Sequence, residues 1–398
     1  MNAFAFPNKT HEVADIFRLY GKSYREHYRI SQNQHKVMHH ISICRTPVLG
    51  GHIDRCNECG FEQRVYNSCR NRHCPKCQTL AKERWLNARR AELLPTGYFH
   101  LVFTLPHLLN PLILYNKKIA FNILFAAANE TLQAFAQDPQ WRLVGQLGFI
   151  AVLHTWSQTL IDHFHLHCLI PAGVLSVDNK QWIQARKKFL FRTASLAKEF
   201  RKQYLLQLEL SYKKNILNFP EILLSLQTPE GFTNFIGQLK TINWIAYAKH
   251  PFAGADQVLE YLGRYTHRVA ISNERIKSIS NQKIIFTYKD RKNNNQKKLM
   301  QLHADEFIRR FLLHVLPCGF TKIRYFGFLA HRNKNQSIAL IRKLLGEDKT
   351  HREEISETIQ QVMFRLTGKD IALCPCCKKG HLREILHLPN LTVLYNLF

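Results

Sequence analysis

The chain has few acidic residues and no long apolar run. Its 398 residues contain 29 Asp and Glu against 56 Lys and Arg, which gives a formal net charge of +27. No apolar stretch reaches the roughly 18 residues that a membrane-spanning helix needs. Residues 1–17 contain acids, Asn and His where a signal peptide would need an apolar segment. We therefore expect a cytoplasmic protein that makes no membrane contact.

Internal repeats and long low-complexity segments are also absent from the sequence. With 45% hydrophobic and 11% aromatic residues, the chain can bury a sizeable core, which excludes a generally disordered protein. Its length suits two or three domains. The large positive charge creates a field that concentrates polyanions. Nucleic acid is therefore the partner that this composition predicts.

The order of predicted elements indicates an α+β protein with a largely antiparallel central sheet. Strands are predicted at 98–104, 149–156, 165–171, 244–249, 269–272, 283–288 and 322–328. Helices are predicted at 81–93, 110–136, 192–209, 229–239, 256–265, 305–315 and 337–345. Composition divides the chain into four parts: a helical segment (1–40), a cysteine-rich segment (41–80), a mixed segment (81–335) and a helical tail with a cysteine knuckle (336–398).

Two Cys-x2-Cys pairs in the cysteine-rich segment predict a zinc site. Cys56 and Cys59 are separated from Cys74 and Cys77 by 14 residues, close to the spacing of a four-cysteine zinc ribbon. Two thiolate pairs on tight turns can share one tetrahedral ion, which stabilises a segment too short to bury a core. Because four thiolates leave no open coordination position, this zinc would be structural.

Further candidate ligands leave other sites open. The same segment also contains Cys44, His52, Cys69 and His73. They form a second site, replace a ligand of the first or, in the case of the two thiols, are simply buried. The tail contains a sequence that resembles one zinc knuckle, Cys374-Pro375-Cys376-Cys377 followed by His381. It has no obvious partner, although Cys318 and His381 are candidates to complete it.

Three cations, Arg70, Arg72 and Lys76, surround the second cysteine pair. A folded ribbon would display them around a rigid core, where they suit contacts with phosphate. We therefore predict that these three residues bind nucleic acid.

Residues 154–173 contain several potential metal ligands. In a strand, His165 and His167 point to one face while Leu166 points to the other. The preceding strand would pair antiparallel across a short turn near 160–163. Its residues His154 and Gln158 share a face by parity, so either one is a candidate third ligand. This pattern is typical of a site that binds one divalent ion.

Tyr261 and Tyr265 lie four residues apart in a predicted helix, so both hydroxyls project from one side. Such a pair alone is more often part of a core. The neighbouring Arg264 and Arg268, with His267 when it is protonated, add positive charge beside the tyrosines. That charge is unusual in a core and suits contact with a nucleic acid.

Together these segments resemble the catalytic domain of HUH-type single-strand DNA endonucleases, whose hallmark is a His-hydrophobe-His pair with a tyrosine helix. More closely, the chain resembles the zinc-ribbon, two-tyrosine transposases of bacterial insertion sequences, which move by a rolling-circle-like route. From about residue 40 to 335 the matching stretches are GGHIDRCNECG, SCRNRHCPKCQ, FTLPH, HTWSQTLIDHFHLHCLIPAG, YLGRYTHRVAISN and YFGFLAHRNK. The family often has Pro where this chain has Phe164, and a hydrophobic residue there should leave metal ligation undisturbed.

The resemblance implies a fold and a set of cofactors. Residues 41–80 would form a zinc-ribbon DNA-binding domain with structural Zn²⁺, and residues 81–335 an HUH nuclease domain. His165 and His167 would hold Mg²⁺ or Mn²⁺ against the scissile phosphate. Gln158 is favoured over His154 as the third ligand, because related nucleases place it several residues upstream of the first histidine.

The resemblance also implies a reaction. Tyr261 and Tyr265 would attack single-stranded element ends and target DNA, giving a 5′-phosphotyrosine and a free 3′-hydroxyl. Two other interpretations stay open. A plasmid replication initiator or relaxase would use the same chemistry, whereas a non-enzymatic zinc-ribbon regulator would bind duplex DNA without forming a covalent product.

Overall fold

Helices and antiparallel strands alternate along the chain. The computed structural model describes residues 11–185, 190–252, 257–258, 261, 263, 266–267, 269–290, 293–347 and 357–391. The helices are α1 (Val13–His27), α2 (Gln32–Ser42), α3 (Gln78–Arg90), α4 (Asn110–Tyr115), α5 (Lys117–Phe135), α6 (Thr193–Lys213), α7 (Pro229–Thr241), α8 (Ala304–Leu313), α9 (Lys334–Leu344) and α10 (Ile359–Thr367). The strands are β1 (Gly51–Cys56), β2 (Glu62–Tyr66), β3 (Tyr98–Thr104), β4 (Phe149–Trp156), β5 (Asp162–Pro171), β6 (Gly173–Leu175), β7 (Trp182–Gln184), β8 (Ile245–Phe252), β9 (Ile276–Ser280), β10 (Lys283–Asp290), β11 (Gln296–His303), β12 (Ile323–Phe326) and β13 (Leu382–Leu388).

A five-stranded sheet forms the centre of the fold. Its strand order is β12-β4-β5-β3-β8, and each neighbouring pair is antiparallel. Two three-stranded sheets, β11-β10-β9 and β13-β1-β2, and the two-stranded sheet β6-β7 accompany it. The predicted α+β class with a largely antiparallel central sheet is confirmed. None of the described helices is long and apolar enough to cross a membrane.

The two faces of the central sheet have different roles. Phe99, Leu101 and Phe103 of β3 point into the large apolar core, where the ring of Phe103 lies 4.8 Å from that of Phe200 in α6. The intervening His100 lines a cavity on the opposite face. Because successive side chains in a strand point to opposite faces, alternate apolar residues leave the polar ones on the cavity side. Burying each phenylalanine contributes about 1.5–3 kcal/mol to stability.

The two N-terminal helices pack onto a second core. Ser31 caps α2 by accepting a hydrogen bond from the backbone N–H of Gln34, whose side chain accepts one in return from Ser31 N–H. Phe17 of α1 contacts Phe311 of α8 edge to face, with ring centroids 5.3 Å apart. The buried thiol of Cys44 belongs to the same core. The N-terminal helices thereby connect the cysteine-rich segment to α8 and the β9–β11 sheet.

Near the C-terminus, β13 adds a third strand to the sheet of the cysteine-rich segment. It pairs antiparallel with β1, from Gly51 opposite Leu388 to Cys56 opposite Leu382. No strand was predicted from the sequence in this segment. The tail is therefore bound to the N-terminal part of the chain by a ladder of backbone hydrogen bonds.

One predicted strand is absent from the structure, and one predicted helix is described only in part. Residues 269–272 form no strand, although Ala270 and Ile271 are buried in the second core. A short apolar run shows burial but not strand pairing. The predicted helix at 256–265 lies mostly outside the described residues, and those described, 257–258, 261 and 263, are helical.

Candidate active site and metal centres

The β4–β5 hairpin brings three histidines together. In the register of the two strands, His154 lies directly opposite His165, and Val152 lies opposite His167. One ring nitrogen of each histidine lies within 4.8 Å of those of the other two. Nitrogen ligands bind first-row cations at about 2.0–2.1 Å, so small rotations of the side chains would place all three around one ion.

Neighbouring groups orient two of these imidazoles. Nδ1 of His165 donates a hydrogen bond to the carbonyl oxygen of His163 at 2.8 Å. Nδ1 of His167 lies 2.9 Å from Nε2 of His100 on β3. A metal bound here would therefore take Nε2 of both rings. Hydrogen bonds of this kind fix the orientation and tautomer of metal-binding histidines.

His100 also contacts a predicted nucleophile. The hydroxyl of Tyr261 lies 2.8 Å from Nδ1 of His100, and both side chains are buried. His100 thus connects Tyr261 to His167, a member of the histidine cluster. Sequence reasoning missed His100, because a lone histidine in an apolar strand more often belongs to a core. Its position between apolar neighbours, on the same face as Thr104, is the signal that indicates the cavity side.

The histidines and Tyr261 line one cavity of about 760 Å³. Trp156 and Tyr247 provide aromatic surface in the same cavity, and Tyr247 is 53% exposed. Pockets of roughly 300–1,000 Å³ suit small ligands, so this cavity has room for a nucleotide segment. Burial raises the pKa of Asp162, a carboxyl in the cavity wall, above its usual value.

The two candidate third ligands, His154 and Gln158, make different contacts in the structure. His154 belongs to the histidine cluster, whereas Oε1 of Gln158 accepts a hydrogen bond from the backbone N–H of Lys289 at 3.4 Å. Gln158 follows the end of β4 in a turn, so strand parity no longer sets its direction. Gln158 lines the same cavity as His154, so the choice between the two as third ligand stays a prediction.

The predicted cations beside the tyrosines are only partly covered by the structure. Tyr265, Arg264 and Arg268 lie outside the described residues. His267 is described, and burial lowers the pKa of its imidazole to about 4. It is therefore neutral at pH 7 and does not supply the positive charge expected of it.

The predicted four-cysteine ribbon site is wrong in its grouping. Cys74 and Cys77 form a cluster with Cys44 and Cys69, in which Sγ of Cys77 lies 3.6 Å from both partners. Cys56 and Cys59 instead join a second cluster with two tail cysteines, Cys374 and Cys377. Local spacing defines each Cys-x2-Cys turn, but tertiary contacts decide which turns share an ion.

Both clusters have the donor set that zinc prefers, four cysteine sulfurs. The first brings Cys44 and Cys69, two of the further candidate ligands, into a group that could hold a metal ion. Among the described histidines, neither His52 nor His73 joins either cluster. In the tail, Cys318 and His381 do not complete the knuckle.

Two of the three cations predicted for the ribbon are engaged within the protein. The guanidinium of Arg72 donates hydrogen bonds to the carbonyls of Phe320 and Pro317, at 2.5 and 3.0 Å. Nζ of Lys76 forms a 2.6 Å ion pair with Glu12. These contacts attach the ribbon to the rest of the chain and compete with the predicted phosphate role of both cations, which stays a prediction. Arg70 is exposed and has a left-handed backbone with φ of 53°.

Sequence comparisons find related proteins over most of the chain. A family model described as "Putative transposase" matches residues 148–337, and one described as "Transposase zinc-binding domain" matches residues 16–105. The chain is 45% identical over 380 residues to "Putative transposase y4qJ" of Sinorhizobium fredii, covering 94% of each chain. It is 29% identical over 295 residues to "Transposase for insertion sequence element IS801" of Pseudomonas savastanoi pv. phaseolicola, covering 73% of this chain and 68% of that one.

No solved structure matches the chain. The relationship therefore rests on the two sequence-family models, on the long alignment with the Sinorhizobium protein and on the cysteine clusters that fit a zinc-binding domain. By these matches, the chain belongs to the zinc-ribbon transposase family of bacterial insertion sequences, of the IS91 and IS801 type.

Proposed function

We propose that this chain is a transposase that cuts and rejoins single DNA strands through a covalent phosphotyrosine. The observation that carries the proposal is the contact chain from the hydroxyl of Tyr261 through His100 to His167. It places a candidate nucleophile and a candidate metal ligand in one cavity. Tyr265, one helical turn further along the sequence, would be the second nucleophile.

The proposed reaction exchanges one phosphate ester for another. The tyrosine oxygen attacks the scissile phosphorus, the bond from phosphorus to the 3′-oxygen breaks, and that oxygen leaves as a 3′-hydroxyl after taking up a proton. The 5′-phosphate stays on the tyrosine. Because a phenol with a pKa of about 10 is a good leaving group, a DNA 3′-hydroxyl can reverse the step without ATP.

His154, His165 and His167 would hold the catalytic ion. A divalent ion bound there would polarise a phosphoryl oxygen and align the attack. Imidazole donors favour Mn²⁺ over Mg²⁺ in affinity, whereas cellular abundance favours Mg²⁺. Strand register sets the relative positions of the histidines, and the contact with His100 sets that of Tyr261, which supports this role.

The remaining assignments follow the same proposal. The zinc-binding part of the chain, residues 41–80, would bind the element ends, and residues 81–335 would carry out the chemistry. Residues 1–40 and 336–398 would support the ribbon from either side. Arg70, together with Arg264 and Arg268, would contact DNA phosphates.

A covalent-adduct assay tests the reaction. Purified full-length protein is mixed with labelled single strands from both flanks of its gene, with and without Mn²⁺, and run on a denaturing gel. We expect a metal-dependent protein-bound band that is lost in Tyr261→Phe/Tyr265→Phe and in His165→Ala/His167→Ala. The matched control is Tyr212→Phe, whose hydroxyl bonds to the Gln227 carbonyl on the helical side of the sheet and whose loss should leave the band.

Two results would count against the proposal. A band that persists in the double tyrosine variant would place the nucleophile elsewhere. No band on any strand, together with tight binding to duplex DNA, would favour the non-enzymatic regulator and return the tyrosines to a structural role.

A further inference from the structure

Two cysteine pairs from opposite ends of the chain meet in the structure. Sγ of Cys56 lies 3.7 Å from Sγ of Cys377, and Sγ of Cys59 lies 3.7 Å from Sγ of Cys374. All four sulfurs lie within 4.8 Å of one another. Sulfur ligands about 2.3 Å from a tetrahedral zinc ion are about 3.8 Å apart. The two cross-chain distances therefore already match a shared zinc ion.

The two pairs lie on backbone turns of the same design. In the first turn, the N–H of Gly60 bonds to the carbonyl of Cys56 at 3.2 Å, and in the second, the N–H of Lys378 bonds to the carbonyl of Cys374 at 3.0 Å. Gly60 and Lys378 both have left-handed backbones, with φ of 70° and 56°. Each turn also directs one backbone N–H at a cysteine sulfur, at 3.4 Å. Two equivalent turns facing each other form a complete zinc knuckle pair.

The tail is fitted closely against the first turn. Asn57 donates its backbone N–H to the carbonyl of His381 at 3.1 Å, and its side-chain oxygen accepts from the N–H of His381 at 2.7 Å. A Cβ on Gly380 would lie 2.5 Å from Sγ of Cys56. A side chain at this position would collide with the sulfur. Glycine at position 380 therefore allows the tail to lie directly against the first turn.

Little apolar burial holds the tail in place. Five of the seven residues of β13 are exposed, and α10 buries only Val362 among its residues. Polar contacts add to the ladder with β1, such as the 3.1 Å ion pair between Arg365 and Glu83 of α3. The carboxylate of this pair is buried and its guanidinium is about one-third exposed, so the cost of desolvating the charges offsets much of their attraction. A segment with this small core needs another source of stability, and structural zinc is one that short segments use.

We propose that Cys56, Cys59, Cys374 and Cys377 bind a second structural zinc ion, which fastens the C-terminal tail to the N-terminal ribbon. The first cluster, Cys44, Cys69, Cys74 and Cys77, would bind the other ion within the N-terminal segment. The second ion differs in kind, because it links residues more than 300 positions apart. This assignment does not depend on the proposed DNA chemistry.

Zinc content and tail protection test the proposal on the full-length protein. Wild type should contain two zinc ions per chain by elemental analysis, and Cys374→Ser/Cys377→Ser should contain one. Cys56→Ser/Cys59→Ser should also contain one. Trypsin should cleave the tail of both variants at least tenfold faster than that of wild type. The matched control is Cys318→Ser/Cys376→Ser, which changes two exposed thiols outside both clusters and should keep two ions and a protected tail.

The ion in the first cluster reports whether each variant has folded. If both cysteine variants retain one zinc ion and lose the protection of the tail, the result supports a zinc ion shared by Cys56, Cys59, Cys374 and Cys377. Two ions in Cys374→Ser/Cys377→Ser, or one ion in wild type, would overturn it. So would rapid tail cleavage after the tail substitutions alone, since a shared ion must release the tail whichever pair is removed. If a variant loses both ions, cobalt titration of wild type decides: two tetrahedral thiolate sites are expected, and one would overturn the proposal.

Discussion

At the scale of single residues, the contacts of His100 explain how the proposed nucleophile and the metal ligands keep a fixed relation. Its Nε2 lies 2.9 Å from Nδ1 of His167, and the hydroxyl of Tyr261 lies 2.8 Å from its Nδ1 and 3.1 Å from its Nε2. It is 1% exposed, so water does not compete for these contacts. We interpret His100 as a positioning residue that acts through its two neighbours.

Replacing His100 by Gln should slow adduct formation about 10- to 100-fold, the range found when partners of metal ligands are removed. A shorter amide can keep one contact but cannot reach both neighbours. The Mn²⁺ concentration for half-maximal adduct formation should rise, which a purely structural role would not require. His27→Gln, a change at an exposed helix end, is the control. An activity loss that follows the melting temperature alone would contradict this role.

His314 supports the histidine hairpin in a way that depends on pH. Its Nε2–H donates to the carbonyl of Leu160 in the β4–β5 turn at 3.0 Å, and burial lowers the pKa of its imidazole to about 4. The unfolded chain has a histidine pKa of about 6.5 and therefore binds more protons between these values. The stability that neutral His314 contributes is present above pH 6.5 and is lost as the pH falls toward 4.

His314→Gln should isolate this contribution, because an amide keeps a donor but does not titrate. Between pH 7.5 and 5, wild type should lose about 2 kcal/mol more unfolding free energy than the variant, at 1.36 kcal/mol per unit of pKa. Urea unfolding with zinc in excess measures both proteins under the same conditions. The other histidines titrate equally in both. Parallel losses in wild type and variant would show that His314 does not carry the effect.

At the scale of elements, strands that alternate against a large core were readable from the sequence, and partners distant along the chain were not. The predicted bounds of β3 and β4 agree with the structure, because apolar residues at every second position face one core. The buried run at 269–272 carries the same apolar signal without a pairing partner. β13 is mostly exposed and becomes a strand only because β1 lies beside it.

The residues of the candidate site also fall into two groups: those that a local pattern relates to one another, and those that only tertiary contacts bring together. His165 and His167 could be predicted together because one strand fixes their relation, and the hairpin explains His154. His100 comes from another strand, so its role depends on sheet order, which local pattern does not contain. Each Cys-x2-Cys turn was likewise visible, whereas the choice of partner turn depends on tertiary contacts. The strand order and the pairing of the cysteine turns depend on how the whole chain packs, which no short motif specifies.

At the scale of the whole molecule, described segments near both ends of the chain contact the ribbon. The helices α1 and α2 share a core with cysteines of the cysteine-rich segment, and β13 pairs with its strand β1. Lys76 pairs with Glu12 at the start of α1, and Arg72 bonds to the carbonyls of Phe320 and Pro317, so both cations have partners within the protein. The formal charge of +27 therefore overstates the number of cations that can bind phosphate.

The salt dependence of DNA binding separates these two kinds of cation. Each phosphate neutralised contributes about −0.7 for a single strand, or −0.9 for a duplex, to the slope of log affinity against log salt. Arg70→Gln should weaken binding on all sequences and make the slope less steep by about 1. Arg72→Gln removes the same charge but should leave the slope unchanged and lower the melting temperature, because its guanidinium bonds to the carbonyls of Phe320 and Pro317.

The pair of variants makes the result decisive, since their net charges are equal. Equal changes in slope would mean that the overall field, rather than contacts by particular side chains, determines binding. A flat salt dependence in wild type would exclude the basic surface as the source of affinity. If only Arg70→Gln changes the slope, the exposed side of the ribbon touches DNA, while the side occupied by Arg72 holds the ribbon against the catalytic part of the chain.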